Sequence, residues 1–568
     1  MTILSAYLDG SLAQLGEHLP YKQRVRGSSP LAPTTKTVLF VRARLFYCNN
    51  KCKGVIPMKE KGLLKTAFFM AFAVFLSKVF GLLRDVLLAS NYGTTVEAIA
   101  FDTGSRLPIL LFDFIIGGVI TAAFIPIFNE IMVKESKEKA LRFADSYMTL
   151  IVLITAVVAA LGIVFAAPLV DFLAPDIPEE AKVLAVRLTR IMFPMIIFTG
   201  LAFSYVGILQ SLGEFRLPAI ISLISNGIVV LYFLTLDGFL GIYGLSVFFV
   251  LGWAVQAFVQ IPKAKSLGYV YHPRAGFNSP YIKSSLLCAL PILISSCVQP
   301  LCTLINTRYA SGIAEGRGVT ALNYANKLYI IVVGIFSFVA TNLLFPKLSR
   351  ASASGEKEDA RSLVVVSSKL LVFIVAPISV GFAVLAEPFI KIVYERGEFT
   401  VSDTSLTAAA LRFFAVGMIF MAINEVLTKS FFATKDTKTP MITAIVSMAV
   451  NFVLVGILTS TFGIGGVALS SGTATAVNCI LNYLLLGKKS GRGFFERGDL
   501  ADMIKCIVSS GVMAVCVYFA HSFLGGMNVY LSFGLSVAAG VIVYAVLNIA
   551  LKTEEMMFIL HTVTKKKG

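Results

Sequence analysis

Basic side chains recur inside the long apolar stretches of this chain, where a charged group is costly unless it faces a cavity or a partner. Five of them stand in four of these stretches: Lys78, Arg84, Arg106, Arg308 and Lys327. Cations gathered in a partly wetted cavity of low dielectric bind phosphate or pyrophosphate strongly, and an arginine can do so through two parallel hydrogen bonds. The five residues therefore predict an anion-binding site within a membrane.

Three other interpretations of these cations stay open. Lys78 could pair with Asp113, since both fall near the middle of a span. Asp85 could satisfy Arg84, although adjacent residues of a helix do not share a face. The side chains of Arg106 and Arg308 could instead extend to the outer membrane interface, with their apolar stems in the lipid.

Acidic and helix-bending residues complete the set of candidates. Asp85, Asp113 and Glu425 lie in apolar stretches and are candidates for ion pairing or for coupling to an ion. Glycine and proline can bend a helix, as a lateral gate for a lipid tail would require, and the alternative is ordinary helix packing by small residues. The hinge candidates are Gly117, Gly118, Pro194, Pro291 and Pro300.

Helices that cross a bilayer must position these residues. Of the 568 residues, 57% are apolar and only 14% are charged, against roughly a half and a quarter in soluble domains. Apolar runs of about 20 residues recur, each long enough to cross the hydrocarbon as a helix, the structure that satisfies its own backbone in lipid. We predict an all-α integral membrane protein with about fourteen spans, near 64–90, 103–128, 145–168, 186–209, 218–236, 241–262, 283–308, 321–346, 368–386, 405–431, 440–460, 464–487, 500–521 and 529–551.

The loop charges alternate along the chain. The formal net charge of +17 would suggest nucleic acid on a soluble protein, but most lysines and arginines stand in short loops, so we expect no nucleic-acid partner. Loops after even-numbered spans are basic, as in 134–142, whereas 91–102 has no lysine or arginine. The positive-inside rule then places both termini in the cytoplasm.

An internal repeat of about 220 residues divides the chain. Four pairs of segments recur in the same order and spacing: 123–126 and 344–346, 167–170 and 387–390, Arg190 and Arg412, and 216–218 and 438–440. An even number of spans separates the copies, so they share an orientation and predict two six-helix lobes around a central cavity, an arrangement suited to alternating access. Duplication of a bundle without transport is the alternative. We divide the chain into an N-lobe (58–270), a C-lobe (271–490) and a C-terminal pair of spans with a basic tail (491–568).

The first 57 residues differ from the rest. They contain no span, and residues 13–34 resemble the peptide obtained by translating through a transfer-RNA gene. Met58 opens a basic flank that leads into the first span, as membrane proteins commonly begin. We expect residues 1–57 to be a non-native or mis-annotated extension, and a functional cytosolic extension is the alternative.

No familiar catalytic motif is present. The chain has four scattered histidines, and its eight cysteines form no metal-binding pattern. We therefore expect no enzyme activity, no metal and no cofactor, while a membrane enzyme that uses intramembrane acids stays open.

Several motifs, in order between about residues 60 and 550, resemble the MurJ (MviN) lipid II flippases of the multidrug/oligosaccharidyl-lipid/polysaccharide (MOP) exporter superfamily. The matching segments begin with Ser77-Lys78-Val79-Phe80-Gly81-Leu82-Leu83-Arg84-Asp85. The others are Ala321-Leu322-Asn323-Tyr324-Ala325-Asn326-Lys327-Leu328-Tyr329, then 344–350, 394–400 and 431–440. The family's fourteen spans agree with the number predicted above.

The resemblance implies an alternating-access flippase in the bacterial cytoplasmic membrane, with both termini in the cytoplasm. Its substrate would be an undecaprenyl-pyrophosphate-linked peptidoglycan precursor, lipid II, moved from the cytoplasmic to the periplasmic leaflet. In the family, cations of spans one, two and eight line the cavity. Arg84 matches one of these positions, and Lys78 and Lys327 stand where arginine is usual. The implied partners are lipid II or a related lipid, membrane lipids and the cell-wall synthesis machinery.

The second span departs from the family pattern. Phe112 stands in place of an arginine, Gly117 in place of a glutamate and Ile99 in place of an acid. These changes keep open a flippase for another polyprenyl-pyrophosphate-linked polysaccharide precursor, and a MATE-like small-molecule exporter or a scaffold without transport are further alternatives. Some members carry an acid for sodium on span eleven; here only Asn451 is found, so no sodium site is expected.

Overall fold

The computed structural model describes residues 60–115, 124–339, 344, 348, 357–434, 436–490 and 494–565. Residues 1–57, with the predicted extension and start, lie outside these ranges, as do Gly117 and Gly118. The described residues form α-helices, with no β-strand among them.

The first half of the chain contributes ten helices among the described residues. They are α1 (Glu60–Tyr92), α2 (Val96–Ile115), α3 (Ile125–Lys134), α4 (Lys137–Val164), α5 (Ala166–Leu173), α6 (Glu179–Met192), α7 (Met195–Ser211), α8 (Arg216–Thr235), α9 (Asp237–Phe258) and α10 (Ile261–Ser266). Ser136 is the N-cap of α4. Its hydroxyl accepts a hydrogen bond from the Lys139 backbone N–H at 3.2 Å, and this satisfies one of the free N–H donors of the first turn.

The second half continues with α11 (Pro280–Ser296), α12 (Val298–Ser311), α13 (Arg317–Val339), α14 (Lys357–Val384), α15 (Ala386–Tyr394), α16 (Val401–Ala433), α17 (Lys438–Phe462) and α18 (Ile464–Ser490). The chain then forms α19 (Arg497–Phe523), α20 (Val529–Ala550) and α21 (Glu554–Lys565). A capping box between Thr400 and Asp403 begins α16, so that two backbone donors are satisfied reciprocally at this helix start.

The prediction of an all-helical membrane protein is confirmed. Within the described part of the chain, ten helices are long and apolar enough to cross a membrane, and they coincide with predicted spans three to six and nine to fourteen. Predicted spans one, two, seven and eight correspond to α1, α2, α11 with α12, and α13, and these helices are not among the ten. The number fourteen therefore stays a prediction.

Each half packs around its own set of helices. In the first half, α8 lies against α1 and α9, and α2 lies against α6. In the second half, α16 packs against α13, α14 and α18, while α19 packs on α14 and on α20. The short helices α5 and α15 follow α4 and α14 after a break of one residue, at Phe165 and Leu385, in equivalent positions of the predicted repeat. The division into lobes stays a prediction.

The two halves meet at the predicted periplasmic end. The Glu398 backbone N–H donates to the Ser90 carbonyl at 2.8 Å, and the Tyr324 hydroxyl donates to the Gly93 carbonyl at 3.4 Å. Gly93 and Gly397 allow this approach, because a Cβ on Gly397 would lie 2.1 Å from the Ser90 oxygen. Both glycines also have positive φ. The halves are thus joined there through backbone atoms.

Side chains reinforce the same end. Asp403 at the start of α16 accepts a hydrogen bond from Thr94 of the first half and forms an ion pair with Arg317 at 3.3 Å. A second contact brings Gly316 against Ile177 and the neighbouring proline. The Thr94–Asp403 and Ile177–Gly316 contacts each join a residue of the first half to one of the second half, more than a hundred positions away in sequence, so they fix how the halves meet.

A buried lysine attaches the C-terminal helices to α14. The Lys369 ammonium, with a side chain only 3% exposed, lies 2.6 Å from Glu554, 3.1 Å from Asp502 and 3.5 Å from Asp499. The Glu555 carboxylate lies 3.8 Å away. Buried charges persist only when they are paired, so this cluster fastens α19 and α21 to the second half.

Gly397→Ala should lower the apparent melting temperature of the detergent-purified protein. The added methyl group meets backbone rather than a movable side chain, and alanine at positive φ is strained, which together cost about 1–3 kcal/mol. Gly511→Ala is the matched control, since nothing lies within 4 Å of its added Cβ. Equal melting of the two variants would contradict the described contact.

Lys369→Met should destabilise the protein strongly, because removing one partner of a buried ion pair costs about 3–5 kcal/mol. Lys391→Met is the control: Lys391 pairs with Glu395 at 3.3 Å on an exposed helix surface, where a pair contributes about 0–1 kcal/mol. Thermal melting and protease cleavage of residues 554–565 are the measurements. If α21 of Lys369→Met is no more susceptible to protease than that of the control, the attachment role is wrong.

Candidate functional site

The centre of the site is a single carboxylate oxygen on α1. Arg84 donates to Asp85 Oδ1 from Nη2 at 2.9 Å and from Nε at 3.1 Å. Asp85 is buried, with 4% of its surface exposed. The interpretation that Asp85 satisfies Arg84 is thus confirmed, and the objection from adjacent helical positions does not hold because the long arginine side chain turns back over its neighbour.

Lys327 of α13 reaches the same oxygen from the other half of the chain. Its Nζ lies 3.0 Å from Asp85 Oδ1 and 5.5 Å from the centre of the Tyr324 ring. Two cations therefore share one carboxylate, and the local formal charge is positive. Their side chains keep 25% and 23% of their surface exposed, so both remain accessible from a cavity.

An asparagine of α8 orients the arginine. Asn226 Oδ1 accepts from Arg84 Nη1 at 3.0 Å, and its amide nitrogen donates to the Ser77 carbonyl at 3.3 Å. The guanidinium is therefore held on two sides, by Asp85 and by Asn226. A fixed planar donor group of this kind suits a phosphate oxygen better than a mobile one.

A second polar network lies across the cavity between α2 and α13. Arg106 donates to Asn323 Oδ1 at 2.7 Å and to the Thr307 hydroxyl at 3.2 Å. The Asn323 amide in turn donates to Asp102 Oδ1 at 2.6 Å, while Asp102 Oδ2 has no partner within the described ranges. Arg106 thus faces the interior, and the interpretation that it extends to the membrane interface is wrong.

Three adjoining cavities surround these networks. A central cavity of about 250 Å³ contacts both networks and Asp113. A second cavity of about 460 Å³ lies beside α8 and contains Lys78, sharing Arg84 and Lys327 with the first. We name the third, of about 510 Å³, the amide chamber, since it is lined by Gln299, Asn306, Asn326, Asn424, Asn451 and Asn478.

The structure brings most of the predicted site residues together. Arg84, Lys327, Arg106 and Asp113 line the central cavity, and Lys78 lies next to it. No ion pair joins Lys78 to Asp113 among the described residues, so the interpretation that they neutralise each other receives no support. Glu425 lines the amide chamber and pairs with Lys429 at 3.5 Å.

Arg308 is placed apart from the other cations. It is exposed, its Nη1 donates to the Phe172 carbonyl at 2.5 Å, and its guanidinium lies 5.5 Å from the Phe172 ring centre. It therefore joins α12 to α5 at the predicted periplasmic end instead of lining these cavities.

Two of the three prolines chosen as hinges lie at or near helix breaks. Pro194 separates α6 from α7, and Pro300 stands at the third position of α12, just after the break at Cys297. Pro291 lies within α11. Gly117 and Gly118 fall outside the described residues.

Sequence reasoning missed the amides that organise the cations. Asn226 could have been found as a lone amide in the apolar span 218–236. Asn323 lies four residues before Lys327, hence on the same face of α13. Asp102 and Thr307 gave a weaker signal, since polar residues near the ends of a span are common. Among the described residues no group of three or more metal-ligating side chains occurs.

Comparison with known proteins identifies the family. The family model described as "Lipid II flippase MurJ" matches residues 88–538. A probable lipid II flippase MurJ of Bdellovibrio bacteriovorus is 30% identical over 437 residues, 76% of this chain and 83% of the relative. The lipid II flippase MurJ of Burkholderia cenocepacia is 28% identical over 433 residues, 74% of this chain and 82% of the relative.

Solved structures share the fold. "Lipid II flippase MurJ, inward closed conformation" superposes with a TM-score of 0.74 at 24% identity and covers 85% of this chain and 99% of that chain. An inward-facing multidrug resistance MATE family transporter of the MOP superfamily superposes with a TM-score of 0.61 at 15% identity, covering 73% and 94%. The resemblance inferred from the motifs is confirmed: this multi-pass membrane protein belongs to the MurJ lipid II flippase family.

Proposed function

We propose that this chain moves lipid II from the cytoplasmic to the periplasmic leaflet of the bacterial cytoplasmic membrane by alternating access. The observation that carries the proposal is the convergence of Arg84 and Lys327, from two halves of the chain, on one oxygen of Asp85 beside a cavity. The family's flippase description supports the same activity.

The charge balance of the site suits a pyrophosphate. Asp85 neutralises only one of the two cations that contact it. The excess of positive charge lies on the side of the second cavity, where Lys78 joins Arg84 and Lys327, whereas three cations and three carboxylates line the central cavity. An entering pyrophosphate can replace Asp85 as the acceptor of the two Arg84 hydrogen bonds, which are charge-assisted. Asp85 then serves as an internal anion that holds the cations in place while the site is empty and competes with the cargo for them.

The same ion pairs couple cargo binding to the contact between the two halves. Arg84 and Asp85 belong to the first half and Lys327 to the second, so the Lys327–Asp85 pair crosses the boundary between the halves. Cargo that displaces Asp85 from Lys327 weakens this connection between the halves. The contacts around Gly93 and Asp403 then remain to hold the periplasmic end closed, and the closed state becomes less stable. The lobes then rotate about the bent helices near Pro194 and Pro300, and the termini stay in the cytoplasm.

Translocation of this kind requires no covalent step. The cations bind and release a lipid head group whose bonds stay intact, so the proposal includes no enzyme activity. Membrane lipids contact the apolar outer surface, and the cell-wall synthesis machinery would use the lipid delivered to the periplasmic leaflet. A small-molecule exporter is less well supported: the MATE structure shares only the fold at 15% identity, whereas the described lining of the second cavity carries Lys78, Arg84 and Lys327 against the one carboxylate of Asp85.

Arg84→Ala and Lys327→Ala should each abolish growth of a cell depleted of its own lipid II flippase. Removing one partner of a buried charge pair typically costs about 2–5 kcal/mol, so affinity for undecaprenyl pyrophosphate should fall at least about tenfold. The measurements are complementation, surface exposure of lipid II and binding in nanodiscs. Arg412→Ala, which removes an exposed cation paired with Glu387 at 3.1 Å, is the control. Full complementation by both site variants at normal expression would favour a scaffold role.

Asp85→Asn should separate binding from transport. Neutralising the internal anion frees Arg84 and Lys327 for the cargo, so affinity for undecaprenyl pyrophosphate should rise by about threefold or more, given that 1.4 kcal/mol is tenfold. Flipping should nevertheless fall, because the cargo no longer has a competitor that favours its release. Binding in nanodiscs and lipid II exposure in cells are the readouts. A fall in affinity together with flipping would count against the competitive role of Asp85.

A further inference from the structure

The amide chamber differs in chemistry from the cationic centre next to it. Its polar lining consists mainly of carboxamides and hydroxyls, contributed by α12, α13, α16, α17 and α18 of the second half. Carboxamides both donate and accept hydrogen bonds, so they suit a neutral ligand rich in hydroxyl and amide groups. Its volume of about 510 Å³ falls within the roughly 300–1,000 Å³ of small-molecule sites.

Part of this lining is occupied by internal hydrogen bonds. Asn451 donates to Asn306 Oδ1 at 3.1 Å, and Asn306 donates to the Ser471 hydroxyl at 2.7 Å. Asn482 donates to Asn424 Oδ1 at 2.8 Å and to Asn478 Oδ1 at 3.3 Å. These bonds hold the amides of four helices in fixed orientations, as a preformed site requires.

Other polar groups of the chamber have no partner within the described part of the chain. The side-chain amides of Gln299 and Asn326 make no hydrogen bond there, and the amide nitrogens of Asn424 and Asn478 are also free. Asn451 is fully buried, and its Oδ1 has no partner. Buried polar groups are rarely left unsatisfied, so Asn451 calls for a hydrogen-bonding partner. Gln299 is exposed and Asn326, Asn424 and Asn478 are half-buried, so their free groups are accessible to a ligand or water.

The charges of the chamber disfavour an ionic occupant. Glu425 is the single carboxylate among the described lining residues, and it already has Lys429 as a partner at 3.5 Å. Arg106, at the boundary with the central cavity, is engaged by Asn323 and Thr307. A bound metal cation prefers several oxygen ligands with net negative charge, and a phosphate would require free cations, so an uncharged ligand fits best.

An aromatic surface completes the site. The rings of Tyr329 and Phe414 stack with centroids 5.4 Å apart, and both residues line the chamber. The apolar C–H face of a sugar ring packs against such a surface while its hydroxyls bond to amides. The residues that line both this chamber and the central cavity are Arg106, Gln299, Thr303 and Asn326. A saccharide bonded to a pyrophosphate can therefore enter the chamber while the pyrophosphate stays among the cations.

We propose that the amide chamber binds the uncharged saccharide part of the lipid-linked cargo, and that Gln299 and Asn326 are specificity-determining residues for it. This inference rests on the proposed flippase function. The chamber would then select cargo by its sugars, while the cations recognise the pyrophosphate that all polyprenyl-pyrophosphate-linked glycans share.

The test compares two probes in nanodiscs: undecaprenyl pyrophosphate, and the same lipid bearing a disaccharide without peptide. The wild-type protein should bind the disaccharide lipid at least about tenfold more tightly, a difference of about 1.4 kcal/mol. In Gln299→Leu/Asn326→Leu this affinity ratio should fall toward one. The two side chains have no protein partner in the described ranges, so the variant leaves no other group unsatisfied. Gln210→Leu, on α7 outside these cavities, should keep the wild-type ratio.

Three results would overturn the inference. An unchanged ratio in the double variant would exclude the chamber as the saccharide site, and a ratio near one in the wild-type protein would exclude sugar recognition. A change only in the dependence of binding on sodium would assign the chamber to a cation. Absence of binding of either lipid by the wild-type protein would refute the flippase function itself, which separates the two failures.

Discussion

The organisation of this protein depends on one carboxylate oxygen shared by an arginine and a lysine. Asp85 Oδ1 lies within 3.1 Å of Arg84 and Lys327. Because a buried charge must be compensated, the position of each of these groups constrains the other two. Helices α1 and α13, from the two halves of the chain, are thereby held at the same depth, and the cavity between them takes its location from this pair.

The cost of these charges also explains which helices line the cavity. Helices α1, α2 and α13 provide the ionic networks, and a charged side chain within a membrane is tolerated where it faces a wet cavity or a partner. The polar amides of α12, α16, α17 and α18 extend the same principle to uncharged groups on the other side of the cavity.

Much of this could be predicted from the sequence, and the remainder depended on three-dimensional proximity. The length of the apolar runs predicted the helical membrane fold, and the charges of Arg84 and Lys327 within such runs predicted the cationic cavity. Both features are visible in a short stretch of sequence, and both involve large free energies of transfer into lipid. The sequence marked the positions of Asn226 and Asn323 but not their roles. Each amide bonds to an arginine more than a hundred residues away in sequence, Asn226 to Arg84 and Asn323 to Arg106. Arg308 illustrates the reverse case: its residue type fitted the pattern, but its place on α12 directs it to Phe172.

The ion cluster around Lys369 has a further consequence for the shape of the protein in the lipid. By attaching α19 and α21 to α14, it makes the last helices a projection that moves with the second half. A rotation between the halves would carry these helices through the surrounding bilayer, while the first half has no comparable extension among its described helices. Bilayer thickness and lateral pressure would therefore act unequally on the two halves.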